Sequence, residues 1–173
     1  MRRLVTAAAA LALALVASAA PAAAQPPVTA TGGWVPAPAA PFTFPAGARC
    51  DFPVTGMPII DEVRKRVLTV NPDGSAGSEL FVGDLVIRIT NTSNGESYDA
   101  DASGQAVIVY APDGAQTWYV HGPVLVGFAE DGGNQPRGLY IIDGLYQLRV
   151  SASGDKTVTL VRGTIDDLCA RVR

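Results

Sequence analysis

Cysteine and histidine are scarce in this 173-residue chain: Cys50, Cys169 and His121 are all it has. There is no Cys-x-x-Cys pair, which excludes a thioredoxin-like redox site. A zinc centre takes about four ligands, more than these three residues supply. There is no basic stripe either, and the formal net charge is −3, so composition argues against nucleic acid and against electrostatic binding to anionic surfaces. After the first 24 residues no apolar run approaches the roughly 20 residues of a membrane-spanning helix. Aromatics make up only 7%, which is thin for a stacking platform. No long amphipathic helix period is visible, and no nucleophile motif such as Gly-x-Ser-x-Gly occurs.

What the chain does have begins at its start. "MRRLVTAAAALALALVASAAPAAAQ" places Arg2 and Arg3 before an apolar stretch and then small residues, the layout of a secretory signal over residues 1–24 with cleavage before Gln25. The mature protein is expected to be secreted and soluble. Residues 25–45 are rich in proline and alanine without hydrophobic period, as in an extended arm or linker; Trp34, Phe42 and Phe44 are its groups able to dock. Residues 46–173 have the size of one domain. Outside the cell the two cysteines read as one structural disulfide, Cys50–Cys169, joining the ends of that domain.

The body consists of short β-rich runs between turn signals, the pattern of a sandwich or barrel. Strands are predicted near 64–70, 80–90, 96–100, 105–110, 116–121, 124–129, 139–143, 146–151 and 156–162. "NPDG", "SNGE", "APDG" and "SGD" punctuate them. A short C-terminal helix is expected, with Thr164 as cap and Asp166–Asp167 in its first turn. The "APDG" hairpin can be phased. Pairing Tyr110 with Gln116 and Ile108 with Trp118 puts Ala106, Ile108, Tyr110, Trp118 and Val120 on one face, the core. Gln105, Val107, Val109, Thr117, Tyr119 and His121 fall on the other.

"RCDFPV", "VIRITNTSNGESYDADASGQA", "YAPDGAQTWYVHG" and "LVRGTIDDLC" occur in that order. This ordered set resembles a group of uncharacterised secreted proteins from actinobacteria, across roughly residues 46–170. The resemblance implies an antiparallel β-sandwich, immunoglobulin-like or related, of about eight or nine strands, stapled by Cys50–Cys169. It implies no activity.

Candidate chemistry is sparse. Asp99, Asp101 and Ser103 in "DADASG" have the spacing that opens a calcium loop, but Tyr110 stands where the bidentate glutamate belongs; a solvated turn is the simpler reading, and no metal or cofactor is expected. His121 reads as a strand-end residue in a polar rim. Tyr119, Tyr140 and Tyr146, with Trp34 on the arm, are candidates for stacking on sugar rings, against a plainer role in the core. The sequence therefore points to a secreted, non-catalytic structural or interaction module. A carbohydrate or small-ligand binding module is the alternative.

Overall fold

A computed structural model describes residues 32–173. The expected signal segment 1–24, the expected cleavage point and residues 25–31 of the arm lie outside the described residues. Twelve strands and one helical turn are present among the described residues. The strands are β1 (Val35–Pro36), β2 (Phe42–Phe44), β3 (Val54–Asp61), β4 (Arg64–Val70), β5 (Ala76–Val82) and β6 (Leu85–Asn91), then β7 (Ser97–Asp101), β8 (Gln105–Tyr110), β9 (Gln116–His121), β10 (Val124–Phe128), β11 (Gly138–Val150) and β12 (Lys156–Asp167), with α1 (Leu168–Arg171) after them.

They form two antiparallel sheets, so the expected all-β sandwich is what the chain builds. The smaller sheet runs β2-β3-β6-β7. The larger runs β1-β4-β5-β8-β9 and on to β11, whose other edge carries β12. One edge of β11 is shared: Leu145–Val150 pair with β9, and Gly138–Ile142 pair with β10. The arm does not hang free over its described length. Its two short strands close one edge of each sheet, β1 on β4 and β2 on β3.

Strand limits depart from the sequence pattern in instructive ways. The predicted run 80–90 is two strands, β5 and β6, which belong to different sheets. The predicted pair 139–143 and 146–151 is one continuous strand, β11. Gly144, in the gap between those two predicted runs, faces Gly163 of β12 with φ of 126° and 136°. A side chain on either would run into the opposing backbone, so the glycines let the two strands cross closely without ending them. Strand β12 likewise continues five residues past the predicted end, to Asp167. Thr164 is therefore not the helix cap; Asp167 is, its carboxylate accepting from the Cys169 N–H at 2.9 Å. Strand β3 was not anticipated: its Gly-Met-Pro centre breaks the alternation that marks a strand.

Two apolar clusters hold the sheets. One gathers Ala106, Ile108, Val120, Val126, Phe128, Tyr140, Ile142, Tyr146, Leu148 and Val158 on the inner face of the larger sheet. The other gathers Cys50, Val54, Ile87, Ile89, Ala100, Leu139, Leu168, Cys169 and Val172. The disulfide sits in the second, with Cα atoms 5.5 Å apart, inside the 4.4–6.8 Å span usual for such bonds. It ties the segment before β3 to the helix after β12. The staple is structural.

Candidate functional site

The "APDG" hairpin has the register derived from sequence. Tyr110 pairs with Gln116 and Ile108 with Trp118, and Ala111 and Ala115 close the loop by a backbone bond. Ala106, Ile108 and Val120 are buried, as the phasing requires, while Tyr119 on the opposite face is 54% exposed. Trp118 and Tyr110 face inward but are only half-buried. The reason is a cavity of about 350 Å³ against them.

That cavity is a groove along β8. Its floor is Ala102, Gly104, Ala106 and Ile108; Phe81 of β5 walls one side, and Trp118 of β9 walls the other. Leu85 and Val124 line the end farther from the hairpin, and Tyr110 and Gln116 the nearer one. The small floor is partly forced by the backbone. A Cβ on Gly104 would collide with the Pro123 carbonyl and lie 2.9 Å from the His121 carbonyl oxygen.

Polar groups near the groove are fixed by one another. The buried Glu79 carboxylate accepts from the Tyr110 hydroxyl at 2.7 Å and pairs with the Lys65 ammonium at 2.9 Å. Burial first, and the Glu79 carboxylate second, hold the Tyr110 phenol well above its ordinary range. Gln116 Oε1 accepts from the Trp118 indole N–H at 2.8 Å. The Tyr146 hydroxyl is different: it is buried among apolar side chains with no hydrogen-bond partner.

The outer face of the same sheet has its own pattern. Directly opposed residues of antiparallel strands share a face, so the pairings carry one row across six strands: Arg66, Leu80, Val107, Tyr119, Gln147 and Thr159. Arg64, Val109, Leu145, Arg149 and Arg162 lie on the same side. Val109 is 40% and Leu145 43% exposed, and all four arginines are exposed. The described ion pairs include none of these arginines. Arg64 and Arg66 come from the short basic run Arg64-Lys65-Arg66, and the sheet register adds Arg149 and Arg162 to complete a cationic rim around an apolar centre.

The other sequence candidates scatter. Asp99 is held by Arg88 through two bonds of 2.7 and 2.8 Å, and that partner keeps its carboxyl below the usual range. Asp101 accepts from the Ser103 N–H, and the Ser103 hydroxyl bonds the Leu85 backbone. The three do not converge, and the described residues contain no cluster of three metal-ligating side chains. His121 is exposed at the end of β9, 3.5 Å from the Gln105 amide. Tyr140 and Tyr146 are buried, 8% and 2% exposed, which removes them as sugar-stacking residues. Trp34, just before β1, lies under the Arg66 guanidinium, and Tyr98 of β7 lies under that of Arg171, both apart from Tyr119 on β9. No helix among the described residues is long and apolar enough to cross a membrane. The residues that sequence reasoning missed are Glu79, Lys65, Phe81 and Leu85; each comes beside β8 through pairings or packing that no local pattern announces.

By fold and site the protein is a disulfide-stapled antiparallel β-sandwich with an apolar groove on one face of its larger sheet and an arginine-rimmed apolar patch on the other. No protein-family model, curated protein or solved structure matches the chain.

Proposed function

We propose that this is an exported, non-catalytic interaction module, released by cleavage before Gln25, whose docking surface is the outer face of the larger sheet. The observation that carries this reading is the apolar centre of Val109, Tyr119 and Leu145 between the exposed arginines 64, 66, 149 and 162. Protein interfaces are enriched in Tyr and Arg around a desolvated centre. The chain is acidic as a whole, so a face with four arginines outside the described ion pairs is a segregated charge feature rather than an average surface. It suits an acidic protein partner outside the cell. The Cys50–Cys169 bond is compatible with that compartment, and the resemblance to secreted actinobacterial proteins supports the same location.

The test is affinity capture of extracellular proteins with the mature chain. The comparison is a variant carrying Arg64→Glu, Arg66→Glu, Arg149→Glu and Arg162→Glu. A partner held by the wild type should be lost at least tenfold in the variant and weaken as salt rises. The control Arg88→Glu, on the smaller sheet, should retain it. Identical capture by wild type and quadruple variant would overturn the reading.

A further inference from the structure

The groove on the inner face invites a separate conclusion, independent of the docking face. We propose that it is a binding site for one acyl chain ending in a carbonyl or carboxyl oxygen.

The shape is the first argument. Gly104, Ala106, Ile108 and Tyr110 line the groove along β8, a length of about 20 Å at roughly 3.3 Å per residue. Its volume of about 350 Å³ gives room for one extended hydrocarbon chain of that length. The trough exists because the floor is small where its neighbours are large. In the row Phe81, Ala106, Val120, Tyr146, Ala106 is the smallest residue, directly beside the Phe81 wall.

Chemistry is the second argument. Phe81, Leu85, Ile108, Trp118 and Val124 offer no hydrogen bond to a sugar hydroxyl along the trough, apart from the Trp118 N–H, which Gln116 already engages. Polar recognition is confined to the hairpin end. Because Gln116 Oε1 accepts from Trp118, its amide N–H₂ is the part left to donate. The Tyr110 hydroxyl proton is already committed to Glu79. Glu79 in turn is neutralised by Lys65, so no free carboxylate repels an oxygen-bearing head. A donor at one end of an apolar trough is what an acyl carbonyl requires.

The experiment follows Trp118 emission in the full mature chain carrying Trp34→Phe, with dodecanoate and its glycerol monoester as probes. A saturable blue shift with one of them, and a one-to-one complex by native mass spectrometry, is expected; the tighter probe distinguishes free from esterified acyl groups. Ala106→Leu, which fills the trough, should abolish saturation. Gln116→Leu should weaken binding about tenfold and keeps the test valid if the larger floor residue perturbs folding, as judged by circular dichroism. Arg88→Gln, on the smaller sheet, should leave affinity unchanged. Saturation by neither probe, undiminished binding by Ala106→Leu and Gln116→Leu, or equal loss in Arg88→Gln would overturn the proposal.

Discussion

The two halves of β11 belong to one strand but live in different environments. In the first half, Leu139 and Tyr140 are 2% and 8% exposed and Ile142 is fully buried. Their side chains alternate between the two apolar clusters: Tyr140 and Ile142 enter one, Leu139 and Ile141 the other. In the second half Tyr146 and Leu148 are buried inward at 2% each, while Leu145 is 43% exposed outward. The sequence reflects this. "GLYII" is an unbroken apolar run, and "LYQLRV" alternates. An unbroken run is the mark of a strand covered on both faces, alternation of one covered on a single face. The difference marks where the open outer face begins: it starts where the second cluster stops.

The most severe way to break the comparison is to release the cover over the first half. Replacing both cysteines by serine removes a cross-link spanning 119 residues and should cost about 4–5 kcal/mol in the chain-entropy model. Chemical denaturation measures it. The β-rich spectrum should survive, and a cost under about 1 kcal/mol would show that the second cluster holds without its staple.

A contrast within the strand comes next. Ile142→Ala, at a position with no exposure, should destabilise by about 2–5 kcal/mol. Leu145→Ala, on the open face, should stay within about 0.5 kcal/mol. Comparable losses in the two variants would mean that the outer face is covered in solution.

The smallest effect concerns the inner face of the second half. The Tyr146 hydroxyl is buried without a partner, so Tyr146→Phe should be neutral or stabilise by about 1 kcal/mol or less. Burial, with the Asp143 charge second, raises the Tyr146 phenol, as burial raises that of Tyr110. A raised folded value favours the neutral form, so this contribution is whole below the ordinary phenol value near 10 and is lost as pH climbs above it. Urea unfolding across that range should show the wild type losing stability with pH, and Tyr146→Phe losing less. Parallel curves would place a bonded or hydrated hydroxyl at this position.

Local signals carried much of the fold. The "APDG" hairpin was phased correctly because a short loop fixes register and the two faces differ in polarity. The cysteines paired as expected because no competing ligand set exists. The gap left between the predicted runs 139–143 and 146–151 is no gap, because Gly144 lets β11 continue in close pairing with Gly163. The groove was half legible. Tyr110 and Trp118 were assigned inward from alternation, but Phe81 and Leu85 were read as parts of one strand and belong to two sheets.

The division has a physical basis. A strand's alternation, a turn's glycine and a hairpin's register depend on residues within a few positions of each other, so sequence alone determined an all-β chain with one staple and a correctly faced central hairpin. The arginine rim joins β4 to β12, strands about 90 residues apart in sequence and separated by four others in the sheet. The groove depends on β5, β8 and β9 lying side by side with Leu85 of the other sheet at its end. Those neighbours are chosen by burial of whole faces against one another. No local period encodes that choice, and only the tertiary structure decided it.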